Sequence, residues 1–459
     1  MNTVRAMDPL ASPLLTDLYQ LNMLEAYLAN GQTEPAVFEF FFRRLPARRG
    51  FLLAAGLEQT LDYLENLRFS SEDVDWLTRT GRFSARLIDY LSQLRFTGDV
   101  HAIAEGTAVF PNEPVVRVTA PLPQAQLVET RLINILHYQT LIASKAARAV
   151  LVAPSKVLVD FGLRRAHGGE AGVMAARASY LAGFAGTATV VAEKLYGIPS
   201  FGTMAHSLIE ACDDETTAFE QFAAARPANL TLLIDTYDTL AAAHKVVALA
   251  PRLAARGITI RSVRIDSGDL VAEAKAVRAI LDQGGLQEIG IFASGGLDEG
   301  DVQDLLAAGA PFTGFGLGTA LTTSADVPAL DCAYKLQEYA GIARRKRSVG
   351  KATWPGRKQV WRSYGSDGRM QKDVLSLESD SQPGEQLLRP VMRAGRRVAP
   401  SPTLAESRAY AARELARLPE ALRVLEPKLA YRVEVSGALE ELAADVDRRL
   451  AQSPDQFRA

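Results

Sequence analysis

Between Val157 and Thr319, short apolar, β-branched runs end in Gly, Asp, Ser or Thr, and most are followed by a longer stretch rich in Ala, Leu and Glu. The runs are Val157–Gly162, Pro199–Thr203, Leu230–Thr236, Val263–Gly268, Ile289–Gly296 and Phe312–Thr319. Strands that are apolar throughout and alternate with helical stretches predict βα units in a parallel sheet, because helices cover such strands and leave them no wet face. Polar residues confined to the C-terminal ends of the strands favour a barrel, where chemistry gathers at that end. A doubly wound open sheet is the alternative.

The flanks read differently. Ser12 to Leu28 carries Leu14, Leu18, Leu21 and Leu24 near helical spacing, with Ser12 or Thr16 available as a cap. An extended apolar run, Ala36–Phe42, and a helix through Gly56–Leu64 follow. Residues 99 to 120 alternate as strands, punctuated by Gly106, Pro111, Pro114 and Pro121, and Gln124–Val150 is helical again. Beyond Leu321, Arg344–Arg362 predicts a basic β-hairpin turning at Pro355-Gly356, with a second turn at Gly365–Gly368. Residues 403 to 453 return to amphipathic helix around a strand candidate, Tyr431–Val435. The expected fold is α/β: an irregular α/β barrel of parallel strands with an additional α+β N-terminal domain completed by C-terminal elements. Its expected divisions are 1–150 for the α+β domain, 151–335 for the barrel and 336–459 for a hairpin and helical region packing on both.

Composition narrows the class. The 459 residues, at about 150 per domain, suggest two or three domains, and 48% hydrophobic with 23% charged residues is ordinary for a soluble globular chain. Lys and Arg number 51 against 53 Asp and Glu, so there is no global basic field for nucleic acid or anionic lipid, and an anionic ligand must be held locally. Two cysteines, Cys212 and Cys332, are too few for a disulfide framework or a cysteine zinc site and fit a reducing, cytoplasmic setting. The opening Met1–Pro13 carries Asp8 and no leader-like apolar core, and no later stretch nears the roughly 18 apolar residues of a membrane span, so neither secretion nor insertion is expected.

Four clusters carry candidate chemistry. Asp160-Phe161-Gly162-Leu163-Arg164-Arg165 puts an acid, an aromatic ring and two guanidiniums just past a strand; the competing reading is a strand-end ion pair with Phe161 in the core. Gly202-Thr203-Met204-Ala205-His206-Ser207 sets a histidine at the start of a helix, the best nucleophile or acid/base of the five histidines, against the bland reading of a solvated ring. In Arg264-Ile265-Asp266-Ser267-Gly268-Asp269, the alternate residues Arg264 and Asp266 face the same way. A cation and a carboxylate there suit an anionic, hydroxylated, magnesium-chelated substrate; the alternative is a mutual ion pair. Asp235 is either another acid of this mouth or a helix N-cap. Ser294-Gly295-Gly296 and Gly314-Phe315-Gly316-Leu317-Gly318-Thr319 end the last two strands, the usual phosphate site of a barrel, against simple tight turns. No GxxxxGK[ST], HExxH or GxSxG segment occurs, which leaves P-loop ATPase, zincin and α/β-hydrolase readings without parts. The basic run Arg344–Lys346 reads first as a solvated face and second as a polyphosphate contact.

Taken together with Leu15-Thr-Asp-Leu-Tyr19-Gln-Leu-Asn-Met23, these segments resemble the nicotinate phosphoribosyltransferase family in order and spacing, over roughly residues 10 to 400. The last sixty or so residues share only helical character with it. The resemblance implies that nicotinate and 5-phosphoribosyl 1-diphosphate give nicotinate mononucleotide and diphosphate, the first step of salvage into NAD. ATP is a co-substrate and Mg2+ a cofactor, with the metal's ligands unassigned. It implies a phosphorylated histidine at His206, and contacts of Arg264, Asp266 and Thr203 with the ribosyl substrate and base. Ser294, Gly295, Gly296, Gly316, Gly318 and Thr319 then form the 5-phosphate cradle, and Arg164 contacts diphosphate or ATP phosphates. Phe161 is one face of the stack on the pyridine ring, and Tyr19, from the second subunit of a head-to-tail homodimer, is the other. Family members that use nicotinamide carry Asp inside a Gly-Thr-Asp-Thr segment; here it reads Gly186-Thr187-Ala188-Thr189, which spares a carboxylate substrate that repulsion. The alternatives are nicotinamide as acceptor and, from another class, a non-catalytic phosphoribosyl-diphosphate or nucleotide sensor.

Overall fold

The computed structural model describes residues 12–452; the opening Met1–Ala11, where no leader is expected, and the residues after Gln452 lie outside the described residues. The chain forms two compact units, one from the residues up to Leu141 together with those from Ala329 on, the other from Ile142–Pro328.

In the second unit six parallel strands run in the order Gly186–Thr187, Val157–Asp160, Gly314–Leu317, Gly290–Ala293, Ile260–Ile265, Leu230–Leu233. The parallel α/β expectation is borne out as a curled half-barrel. Leu158, Val159, Leu232, Leu233, Val263, Ile265, Ile291 and Phe315 are buried, which accounts for strands without polar alternation. Helices Gly169–Ala182, Thr239–Ala254, Leu270–Gln283 and Glu299–Ala307 follow strands. Asp238, Asp269 and Asp298 accept from first-turn amides at three of their starts. One expected strand is corrected: Pro199–Thr203 contributes a single bridge, Ser200 to Thr187, and the edge strand is the two-residue Gly186–Thr187. A two-residue strand has no period for a sequence to display.

In the first unit, strands from both ends of the chain share one antiparallel sheet, in the order Ile342–Ala343, Cys332–Tyr339, Pro35–Phe42, Pro114–Pro121, Asp99–Ala102, Arg389–Arg393, Arg396–Arg397. The N-terminal α+β region is therefore completed by C-terminal strands, as expected. Lys358–Tyr364 and Met370–Leu377 belong to a second, four-stranded sheet, where the buried Arg362 pairs with Asp373 at 2.6 Å and Glu414 at 3.1 Å. The expected hairpin at Pro355-Gly356 is wrong. The second expected turn, Gly365–Gly368, joins these two strands, with Gly368 at φ +76°, while the basic run is a loop in which Arg345 and Arg347 pair with Asp447. The first helix, Leu18–Ala29, begins behind Asp17 rather than a Ser12 or Thr16 cap, and Asp17 turns its carboxylate to the Thr130 hydroxyl.

Candidate active site

All six parallel strands end at the same side, and their C-terminal ends carry two adjacent hydrogen-bonded groups, Arg264 with Thr203 and Asp266 with Ser294 and Asp235. Arg264, with its side chain 13% exposed, donates through an Nη to Thr203 Oγ1 at 2.6 Å and lies 4.0 Å from Asp266. Asp266 accepts from the Ser294 hydroxyl, and its backbone N–H donates to Asp235 Oδ2 at 2.9 Å. Asp235 Oδ2 also accepts from Ser267 Oγ at 2.7 Å. The mutual ion pair between Arg264 and Asp266 is thus a minor part of either residue's bonding, and Asp235 belongs to the mouth, the cap of the following helix being Asp238. Burial pulls the Arg264 guanidinium below its usual range, opposed by Asp266 and Asp235. Arg264 Nε and Asp235 Oδ1 are buried without a partner among the described residues, one donor and one acceptor available to a ligand.

His206 is the first residue of the short helix His206–Glu210, and its Nδ1 shares a hydrogen bond with Thr236 Oγ1 at 3.1 Å. Thr236 was not singled out from the sequence, although it directly follows Asp235 at a strand end. Phe161 is half-buried, with its ring 6.0 Å from Phe292 and tilted 44° to it. Gly316 gives it room: a Cβ there would lie 2.4 Å from the ring. Gly295 and Gly296 hold φ of +99° and +74°, and a Cβ on Gly295 would come 1.9 Å from the Asp266 carbonyl oxygen, so this turn requires glycine. Arg164 is exposed on the turn Leu163–Arg165, close enough for its charge to act on Arg264, and Thr319 is exposed just after Gly318. Ala188 is exposed beside Asp160, to whose carbonyl its N–H donates at 2.8 Å. Tyr19 belongs to the other unit, 46% exposed, its hydroxyl donating to Glu129 Oε2 at 3.2 Å.

Among the described residues no group of three or more His, Cys, Asp or Glu could hold a metal ion by itself. The unpartnered Asp235 oxygen beside Asp266 nevertheless fits magnesium arriving on substrate phosphates, which keeps most of its water and takes one or two protein carboxylates.

Models of the nicotinate phosphoribosyltransferase N-terminal domain, family and C-terminal domain match residues 14–137, 157–352 and 382–443. A nicotinate phosphoribosyltransferase of Mycobacterium tuberculosis is 49% identical over 92% of this chain and 91% of its own. The chain belongs to the nicotinate phosphoribosyltransferase family. It is an enzyme of that family, and the C-terminal match extends the resemblance beyond residue 400, where the sequence alone shared only helical character with it. A Bacillus subtilis nicotinate phosphoribosyltransferase is 41% identical over 82% of this chain and 78% of its own. The crystal structure of human nicotinic acid phosphoribosyltransferase superposes with a TM-score of 0.83 at 30% identity, covering 94% of this chain and 99% of that one. A nicotinate-nucleotide pyrophosphorylase from Pyrococcus furiosus shares the fold, with a TM-score of 0.73 at 24% identity over 90% and 98% of the two chains.

Proposed function

We propose that the chain makes nicotinate mononucleotide and diphosphate from nicotinate and 5-phosphoribosyl 1-diphosphate, with ATP hydrolysis coupled through His206. The observation that carries this reading is the cluster at the strand ends: Arg264 bonded to Thr203 and 4.0 Å from Asp266, Asp266 bonded to Ser294 and Asp235, and His206 on Thr236 beside Asp235.

The pyridine nitrogen attacks the anomeric carbon as the bond to the diphosphate oxygen breaks, and the diphosphate leaves with the electron pair. The nitrogen has no proton to lose, so the site needs no general base. Its work is to orient the base and to stabilise an oxocarbenium-like carbon and a departing anion. Phe161 stacks on the ring, Arg264 and Thr203 hold the substrate's polar edge, and Asp266 with Ser294 grips ribose hydroxyls. The Ser294–Gly296 and Gly316–Thr319 turns surround the 5-phosphate, and Arg164 meets diphosphate or ATP phosphates. Magnesium, when bound with the phosphates near Asp235 and Asp266, supplies positive charge to the leaving group. A ring nitrogen of His206 takes the γ-phosphoryl of ATP, releasing ADP, and water later removes it as phosphate. The exposed Tyr19 of the partner subunit covers the other face of the base in a homodimer. Cysteine usage supports a cytoplasmic setting, and no helix among the described residues is long and apolar enough to cross a membrane.

The test is nicotinate mononucleotide formation with and without ATP, counting ADP in the same tube, for the wild type and His206→Ala. Faster product with ATP and matched ADP in the wild type alone supports the reading. No product from the wild type overturns it, and ATP-driven acceleration in His206→Ala removes the phosphohistidine.

A further inference from the structure

Asp160 is a carboxylate where the fold alone asks for none. It ends the strand Val157–Asp160 after Leu158 and Val159, is 1% exposed, and lies between Leu317 and Thr187 in register on the flanking strands. Among the described residues no cation pairs with it, and burial raises its carboxyl above the ordinary range. A buried carboxylate without a cation is costly.

Its two oxygens instead join two segments. Oδ1 accepts from the Gly162 N–H at 2.8 Å, one residue past Phe161, and Oδ2 accepts from Thr187 Oγ1 at 2.7 Å. The Asp160 carbonyl accepts from the Ala188 N–H at 2.8 Å, and Thr187 Oγ1 accepts from the Thr189 N–H at 3.0 Å. Each of Thr187, Ala188 and Thr189 is therefore held to Asp160 directly or through one hydroxyl. On the other side the Phe161 N–H donates to the Leu317 carbonyl at 2.8 Å. A Cβ on Gly162 would lie 2.9 Å from Asp160 Oδ1 and 2.7 Å from Thr322 Cβ, so the turn that aims the Phe161 ring closes tightly on this carboxylate.

We propose that Asp160 is a positioning residue that locks the Phe161 ring to the Thr187-Ala188-Thr189 segment, so that stacking on the base and discrimination between bases depend on one buried carboxylate. The inference rests on the reading above, in which Phe161 stacks on the pyridine, and on Ala188 standing where nicotinamide-using family members carry Asp.

Thr187→Val keeps the shape and removes the hydroxyl; Thr187→Ser keeps the hydroxyl. Thr187→Val is expected to raise the nicotinate KM about tenfold, the scale of one hydrogen bond to a charged group. Its kcat and phosphoribosyl-diphosphate KM should stay within about twofold, while its preference for nicotinate over nicotinamide shrinks and Thr187→Ser restores both readouts. Equal losses in the two variants, or a fall in kcat with the nicotinate KM unmoved, would mean a purely structural role and overturn the inference. Phe161→Ala separates the two levels. If it raises the nicotinate KM and Thr187→Val does not, the stack stands and the lock falls. If Phe161→Ala leaves the nicotinate KM unchanged, the stack itself is wrong.

Discussion

Adding a single methyl group at position 316 is expected to unseat the Phe161 ring. A Cβ built on Gly316 lies 2.4 Å from Phe161 Cδ2, 2.5 Å from Cε2 and 3.3 Å from Cγ, where ordinary contact begins at 3.4 Å. The ring or the strand must therefore give by about 1 Å, since 3.4 − 2.4 = 1.0. Gly316 is buried in the strand Gly314–Leu317, which is hydrogen-bonded on both sides to Val157–Asp160 and Gly290–Ala293, whereas the Phe161 ring is only half-buried. The ring is the part that yields. A displacement of that size in a substrate-positioning group costs up to about 100-fold in rate, and overpacking costs about 1–3 kcal/mol of stability. Gly316→Ala should therefore lower kcat/KM for nicotinate at least about tenfold, with a smaller rise in the KM for phosphoribosyl diphosphate because Gly316 also begins the turn around the 5-phosphate. Steady-state rates of nicotinate mononucleotide formation, with each substrate varied in turn, and a thermal melt of the same preparation give these quantities. An unchanged nicotinate kcat/KM in a folded variant refutes the seating argument. A rise in the phosphoribosyl-diphosphate KM alone leaves Gly316 to the phosphate turn and not to the ring.

Three further outcomes follow from other parts of the molecule. Ala188→Asp places a carboxylate beside the Asp160 strand end and is expected to shift the ratio of nicotinamide to nicotinate use upward by about tenfold or more in a competition assay; an unchanged ratio removes the charge argument. Arg362→Ala leaves the buried Asp373 without its cation and Glu414 with only Arg417 at 3.9 Å, and urea unfolding should register a loss of about 3–5 kcal/mol. Burial, reinforced by Arg117 and Arg393 and opposed by Glu378 and Asp99, holds the His101 imidazole down at about 4 against an ordinary 6.5. The unfolded chain then takes up this proton first, so stability should fall as pH drops from 6.5 towards 4, and thermal melts of His101→Gln should show a shallower fall over that range.

Much of the site was legible because strand ends in a parallel sheet are short, polar and glycine-rich against apolar runs. Of the candidate residues, Arg264, Asp266, Ser294 and Gly295 stand out this way, while His206 follows a segment, Pro199–Thr203, that makes only one bridge. Thr187 and Thr236 did not: a threonine beside a strand gives no sign that its hydroxyl meets Asp160 or His206, since these partners lie 27 and 30 residues away in the chain. The misplaced hairpin has the same cause. Pro355-Gly356 is as good a local turn signal as Gly365–Gly368, which was also expected, yet only the second joins two paired strands, and Arg345 and Arg347 meet Asp447 about a hundred residues downstream.

The sequence by itself determined the parallel α/β class, the order of its strand ends and the family, because apolar period and local motif are properties of neighbouring residues. Tertiary structure alone decided which C-terminal strands join the N-terminal sheet and in what order, that Asp235 faces the mouth rather than capping a helix, and that Gly316 clears a ring. Those outcomes depend on contacts between segments far apart in the chain, whose partners are chosen by packing and by the need to satisfy buried polar groups.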